Sequence, residues 1–469
     1  SVSDSGVQVR ASWWRRSGLD VFPSWPFLRR REVRAWAPVA QRNLQHGALE
    51  DEVALVVRRH AAAALPWDAA RELAYAAAAP LSPRRLPLAE SLGCVLATPL
   101  VSPVAVPPVD RAAMDGYAVR GAGPWVVVGA VLAGSGLAEP LQDGQAYAIV
   151  TGAAVPFGTT SVLADEQATR IGEKVSGSIE AGRHIRRTGE ECTAGELLLP
   201  AGTLVKPAVL GLAATLGLDH LTVIPKPRVL ALITGDELIH HGPSAPGQTR
   251  DAIGPMLPTL ITRSGAGEGT LPGAPSPSAM SQPVEASGAV LQLPDSREAL
   301  VDALARADAE VILVSGSSAS GPADHLRGVL AELGAELIID GVACRPGHPQ
   351  ALARFPDGRL VVGLPGNPLA ALTAFLTLGV AVIRRLRGER LDMLAVAPVP
   401  GGLACHPRST RLVPVRVGPQ GAVPVGHGGS AMLRGAAEAD AFAVVGPGPA
   451  EAIAARLLPL DPGVRPWGV

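Results

Sequence analysis

Over the second half of the chain, apolar residues fall in short runs separated by breaks rich in glycine and proline. Val311–Val314 and residues 337–339 and 360–362 each read as a buried strand. Each soon gives way to a polar turn, at 315–321, 345–349 and 365–368. Helical spacing follows the first turn (Leu326, Val329, Leu330, Leu333) and the third (Leu369, Leu372, Phe375, Leu376). Residues 229–233 start the same pattern earlier. Val290–Leu293 resumes it after residues 264–287, a Gly/Ser/Pro/Ala-rich stretch without period that reads as an inserted flexible loop. Strand, loop, helix, strand predicts a parallel sheet with crossovers. In such sheets ligands sit beyond the carboxyl ends of the strands. Here those ends carry small residues, hydroxyls, Arg345 and His348, a composition suited to a phosphate or oxyanion.

The first half is patterned differently. WDAARELAYAAAA, from Trp67, has helical spacing, and RLPLAESLGCVLATPLVSP reads as a helix running into a strand. Short β-like runs at 125–128, 146–150 and Ser161–Ala164 predict a small all-β unit. An Ala/Leu helix at 207–216 and a strand at 221–224 follow, and PKPR at 225–228 is a stiff connector marking a boundary. Residues 390–469 return to short β runs, 412–417, Ala441–Val445 and 454–458, which predict a β-barrel or sandwich. Residues 1–65 crowd tryptophan and arginine without period. They read as a loosely ordered extension, with a basic-aromatic interaction arm as the functional alternative.

At 469 residues the chain exceeds one core, and 47% hydrophobic with 18% charged residues excludes a disordered polypeptide. A net charge of −1 argues against a nucleic-acid or electrostatic membrane binder. Cys94, Cys192, Cys344 and Cys405 form no CxxC pair, which points to a reducing compartment. The longest apolar helix, expected over about 369–383, is too short to span a bilayer and is interrupted by Thr373, Thr377 and Gly379. With no clean leader segment in 1–65, the expected location is cytoplasmic.

Candidate chemistry lies in a series of motifs. AMDGYAV places Asp115 before a glycine, TGAAVP begins at Thr151, and RRTGEE ends in Glu191. Each alone is also an ordinary turn or a solvated charge cluster. TGDEL puts Asp236 and Glu237 at a strand's carboxyl end, where a carboxylate either caps the next helix or binds a ligand. Asp251, closing PGQTRD, and Asp324 have the same two readings. GLPGNP (Pro365, Gly366, Asn367, Pro368) is the most specific element, a rigid loop directly between a buried strand and a helix. His240, His241, His406 and His427 lack metal-ligand spacing.

Taken in order, DGYAV, TGAxxP, RRxGE, TGDEL, GQxxD, SG(x)nD, RPGxP and GLPGNP resemble the molybdopterin molybdenumtransferase family, from Trp67 to the C-terminus. The resemblance implies a multidomain α/β plus β fold. A parallel-sheet, three-layer molybdopterin-binding domain (228–389) would sit with a small β domain (108–187), a discontinuous mixed elongated linker and dimerisation domain (66–107 and 188–227) and a C-terminal β-barrel (390–469). It implies a homodimer whose site lies between the α/β domain of one protomer and the DGYA-bearing domain of the other. Adenylylated molybdopterin would be cleaved to AMP as molybdate enters the dithiolene, with Mg²⁺. Asp115, Thr151, Glu191, Glu237 and Asp324 would be catalytic, and Asp236, Asp251 and Asp324 would hold the metal. Ser315, Gly316, Ser317, Ser320, Arg345, Pro346, Gly347, His348 and the GLPGNP residues would bind substrate. The chain departs from the family pattern at Ser317 for Gly, His348 for Lys, Ala252 and Ile253 for two polar residues, Ser296 for a carboxylate and Glu191 for Asp. These departures carry a second reading, a degenerate relative that binds molybdopterin or protein partners without inserting metal.

Overall fold

Leu65 and Pro66 form a two-residue strand, β1, that runs straight into helix α1, Trp67–Ala76. Trp67, Ala70 and Ala74 fall on one helical face and are buried. That face packs on the α/β core, although the expected grouping put this helix with the mixed linker. The computed structural model describes residues 64–273, 290–316 and 325–464. The readings made for residues 1–63, most of the 264–287 loop, Ser317, Ser320 and Asp324 lie outside the described residues.

Residues 84–101 hold a single helical turn, Leu88–Ser91, and three short strands rather than a helix running into a strand. Two of these strands pair with His220–Ile224. With helix Pro207–Thr215 they bury Cys94, Leu96, Val205, Val209, Ala213 and Val223 in one core. Strand β2 (Arg111–Ala112) leads into β3 (Gly116–Val119), an inner strand of a six-stranded sheet. Gly116 has φ +150°, and a Cβ there would lie 2.0 Å from the Leu163 carbonyl oxygen. Because that atom is backbone of a paired strand, Gly116→Ala is expected to destabilise the fold by roughly 3 kcal/mol. Calorimetric unfolding checks this; an unchanged Tm would contradict it. Strand β4 (Ile185–Arg186) pairs back onto β2.

The α/β sheet centres on β5 (Arg228–Thr234), with β6 (Val290–Leu293) on one side and β7 (Val311–Val314) on the other, all parallel. Helix Arg297–Arg306 covers one face, beside Leu230, Leu232, Ile312 and Val314; Val229, Ala231, Ile233 and Leu313 face the opposite core. Burial on both faces explains why these strands read as continuous apolar runs rather than alternating ones. Residues 264–273 are not part of a loop: Gly267–Glu268 adds a strand to β5, and Thr270 bridges to Asp308.

The run at 337–339 is corrected. It belongs to Glu336–Asp340, an antiparallel strand at the end of the sheet's order, where Leu337 is 38% exposed and Ile339 is fully buried. The following segment was expected to be a turn only from residue 345. Instead β8 (Val342–Arg345) leaves the α/β sheet, to pair in parallel with β1 and with Thr410 and Arg411 of the C-terminal sheet.

Strand β9 (Leu360–Gly363) pairs in parallel with β7 and enters α2, a continuous helix over Pro368–Leu386 with a π-helical turn at Phe375–Gly379. At 19 residues α2 is longer than expected and meets the length and composition of a membrane span, so the length argument fails. Burial replaces it: 89% of its most apolar window lies inside the protein, making it a core helix.

The C-terminal sheet contains β10 (Thr410–Gly418) and β11 (Glu451–Pro459). Its hydrogen-bonded order runs β1, β8, β10, Ala441–Val445, β11, Val396–Ala404, with Gly421–Pro424 also on β10. A Cβ on Gly421 would lie 2.2 Å from the Pro398 carbonyl oxygen, so this hairpin packs closely on the last strand of that order.

Candidate functional site

Three of the motifs converge on β2. Ala112 donates its N–H to Ala153 at 3.0 Å and accepts from Gly152 at 2.8 Å, while Ala113 donates to His184 at 2.8 Å. This brings Asp115 against Thr151, whose backbone N–H and hydroxyl donate to one carboxylate oxygen at 2.6 and 2.8 Å. Those two bonds hold the exposed Asp115 carboxyl below its ordinary value. Asp110, which sequence reasoning passed over, fixes the RRTGEE loop by accepting from Arg187 at 2.7 Å and from the Thr188 N–H and hydroxyl at 2.8 and 3.0 Å. Burial pushes its pKa up, but these bonds and the Arg187 charge outweigh burial and lower it. Glu191 is exposed and lines an open cleft of about 680 Å³ with Val106, Pro107, Arg111 and Arg186.

A second group forms at the carboxyl ends of the parallel strands. Thr234 donates its N–H to the Ser315 hydroxyl at 3.3 Å and its own hydroxyl to the Ser315 carbonyl at 2.9 Å. Gly316 has φ +83°, and a Cβ there would fall 2.5 Å from the Thr234 hydroxyl; a Cβ on Gly366 would sit 3.7 Å from Gly316 Cα. The two loops therefore meet as bare backbone, the surface a phosphate approaches most closely. Asp236 accepts the Asp295 N–H at 3.0 Å, which sets two carboxylate residues side by side. Glu237 is exposed nearby and its carbonyl accepts from Thr249 at 2.8 Å.

Asp251 closes a turn ahead of helix Leu257–Arg263 rather than capping it, since Met256 holds the N-cap position. It is 7% exposed, and one carboxylate oxygen accepts from Ile253 and Gly254, both at 2.9 Å. Its other oxygen faces His240 Nδ1 at 3.7 Å. Two departures acquire local roles: Ile253 is buried in the main core, and the Ser296 hydroxyl caps helix Arg297–Arg306 by accepting from Ala299 at 3.3 Å.

A third group lies where β8 meets the C-terminal sheet. Arg345 and Arg411 are direct register partners. With Pro346, Gly428 and Ser430 they line a cavity of about 280 Å³. That is the room of roughly nine waters, ample for a tetrahedral oxyanion. The Ser430 carbonyl accepts from Leu369 and Ala370 at 3.0 and 3.2 Å, closing the first turn of α2, and its hydroxyl accepts from Asn367 at 3.3 Å. Asn367 and Pro368 are thereby tied to the cavity wall, while Pro365 is buried beneath. Gly347, at φ +100°, lets the RPGHP loop press on Thr373 of α2. His406 adds an imidazole among Arg345, Arg408 and Arg411; burial and then those charges hold its pKa down. Its Nδ1 accepts from the Arg408 and Ser409 N–H groups at 3.2 and 3.0 Å, so the ring proton is on Nε2.

His348 does not line this cavity. Its Nδ1 donates to the Val342 carbonyl at 2.9 Å, folding the ring back onto its own hairpin. Arg411 and Ser430 were missed in the sequence; the Gly-rich GHGGS stretch was the available signal for the second. Among the described residues no group of three or more His, Cys, Asp or Glu is gathered to hold a metal. No hydrogen bond or ion pair among those described joins the Asp115–Thr151 group to the strand-end group within the chain.

Family models match along the chain: the MoeA N-terminal region (domain I and II) at 65–217, a "Probable molybdopterin binding domain" at 230–385 and the MoeA C-terminal region (domain IV) at 397–454. Molybdopterin molybdenumtransferase 2 of Mycobacterium tuberculosis is 37% identical over 316 residues, covering 62% of this chain and 72% of that protein. The molybdopterin molybdenumtransferase of Synechococcus elongatus is 32% identical over 377 residues, covering 75% and 88%. The structure of a molybdopterin biosynthesis MoeA protein from Pyrococcus horikoshii superposes with a TM-score of 0.65 at 26% identity, covering 85% of this chain and 99% of that one. With these matches on every folded part, the chain belongs to the molybdopterin molybdenumtransferase, or MoeA, family.

Proposed function

We propose that this chain inserts molybdate into adenylylated molybdopterin with release of AMP, as a molybdopterin molybdenumtransferase of molybdenum-cofactor biosynthesis. The observation that carries this reading is the juxtaposition at the end of α2. The oxyanion cavity of Arg345, Arg411 and Ser430 reaches, through Asn367, the bare shelf of Gly316 and Gly366. A tetrahedral dianion fits the first, and a phosphoanhydride lying along exposed backbone fits the second. The second reading is not favoured. Ser296, Ile253 and His348 each have a structural occupation, so these departures do not mark decay of the site.

Mg²⁺ keeps most of its water and needs only one or two carboxylates plus substrate phosphate. Asp236 and Asp295 fit that demand; Asp251, buried and committed to backbone N–H groups, does not. When bound there, the ion would supply charge neutralisation at the phosphoanhydride. In this reading two copies form a homodimer, each lending Asp115, Thr151 and Glu191 to the strand ends of the other. That no described hydrogen bond or ion pair joins the two groups within one chain supports that arrangement. Four domains with the boundaries given above, save that α1 packs on the α/β core, the last a barrel, and a cytoplasmic setting complete the reading; four free cysteines, three of them buried, support the latter.

Asp115→Asn and Asp236→Asn preserve shape and remove charge. Each is expected to cut AMP release at least 100-fold while leaving thermal unfolding unchanged. A variant that turns over like the parent removes that residue from the catalytic assignment.

A further inference from the structure

We propose that Trp67 is a positioning residue for the oxyanion cavity, acting through its hydrogen bond to Thr377; this rests on the reading of that cavity given above. The cavity is assembled from two bodies of structure. Arg345 and Arg411 stand on neighbouring strands of the C-terminal sheet, whereas Asn367 sits at the start of α2 in the α/β core. Something must set the gap between them.

The segment from β1 through α1 touches both. Leu65 pairs with Val342 and Pro66 with Ala343, on the strand that ends at Arg345. The next residue, Trp67, is 1% exposed and donates from Nε1 to the Thr377 hydroxyl at 3.0 Å. Thr377 is fully buried and lies in the π-helical turn of α2. Asp68 then grips β11 of the C-terminal sheet, accepting from both terminal nitrogens of Arg456 at 2.6 and 2.9 Å. Arg71 and Tyr75 bind the connector between α2 and that sheet, donating to the carbonyls of Asp392 at 3.0 Å and Glu389 at 2.8 Å. The indole itself has the guanidinium carbons of Arg71 and Arg456 at 6.0 and 5.7 Å from its centroid. One short segment thus holds β8, α2 and β11 in fixed relation.

Within it, the Trp67–Thr377 bond joins the first residue of α1 to the π-helical turn of α2, alongside the apolar core the two helices share and the Arg385 contacts at the far end of α2. A buried indole N–H needs an acceptor. A π-helical turn, common at functional positions, is the irregularity that carries this one. Letting the two bodies drift by about 1 Å is enough to cost a well-aimed site up to about 100-fold.

The test is equilibrium binding of sodium molybdate to the full chain by titration calorimetry, with thermal unfolding and AMP-release kinetics alongside. Thr377→Val removes the hydroxyl at nearly constant shape, and Thr377→Ser keeps it. Trp67→Phe removes the N–H from the other side. Thr377→Val and Trp67→Phe are each expected to weaken molybdate binding about 10-fold and raise KM for molybdate equally, with kcat at saturating molybdate retained. Thr377→Ser should stay within about twofold of the parent, and the double variant should be no weaker than the weaker single. Parent-like binding by Thr377→Val, or equal loss in Thr377→Ser, overturns the proposal even if Trp67→Phe fails to fold. Absence of molybdate binding by the parent chain overturns the cavity reading, and this proposal with it.

Discussion

Arg345→Ala is expected to bind molybdate roughly 10- to 100-fold more weakly than the parent chain. A hydrogen bond to a charged group contributes about 1.5–3 kcal/mol, and each 1.4 kcal/mol is about tenfold in affinity. The Arg345 side chain has no described ion-pair partner, so its removal leaves no described carboxylate uncompensated. Arg345→Lys should recover only part of the loss, because an ammonium keeps the charge but not the planar fork. Arg411→Ala should weaken binding as well. The two effects will not add, since the residues are direct partners across one ladder. Titration at two salt concentrations checks this, with weaker parent binding expected at the higher one. Undiminished affinity in Arg345→Ala would remove the cavity from the site.

The second large effect is on stability. Glu389 receives Arg384 at 2.6 Å on one carboxylate oxygen and Arg387 at 2.6 and 2.9 Å on the other. The three side chains are only 11%, 4% and 11% exposed, for Arg384, Arg387 and Glu389 respectively. Arg384 also reaches Asp392 at 2.7 Å, yet its Nε is buried without a partner. Glu389→Gln therefore leaves the buried Arg387 without an anionic partner and Arg384 with Asp392 alone, and is expected to cost about 3–5 kcal/mol, read as a lower Tm at pH 7. The pH dependence follows from the same contacts. Burial raises the Glu389 pKa, but the charges and hydrogen bonds of Arg387 and Arg384 outweigh it and bring the carboxyl below its ordinary value. A carboxyl depressed in the folded state contributes fully above its unfolded pKa, about 4.3, and loses that contribution as pH falls below it. The gap in Tm between parent and Glu389→Gln should thus narrow below about pH 4. A constant gap from pH 7 to pH 3.5 would contradict the assignment.

Much of the α/β sheet was legible because strands covered on both faces are continuously apolar and their ends are marked by Gly and Pro. Val311–Val314 is the clearest case, appearing with the expected bounds. Residues 337–339 misled for the same reason: three consecutive apolar residues do not say whether one face is covered, and here an end strand leaves Leu337 in part exposed. Residues 342–345 were harder still. Their partners, 65–66 and 410–411, lie far away in sequence on either side, and no local period encodes such pairing. That long-range pairing is what brings Arg345 beside Arg411 at the cavity, so Arg345 was visible in the sequence while Arg411 and Ser430 were not. Asp251 shows the opposite limit. Its position before a helix was evident, but the turn it closes through Ile253 and Gly254, short of the helix that begins at Leu257, was not.

The most direct test of the central claim is reconstitution with the full chain, adenylylated molybdopterin, Mg²⁺ and molybdate. AMP release and activation of a molybdenum-free apoenzyme are followed in the same sample. The account predicts that both signals appear, and that both fall in Arg345→Ala at limiting molybdate. Tight binding of the pterin nucleotide with neither signal would contradict it.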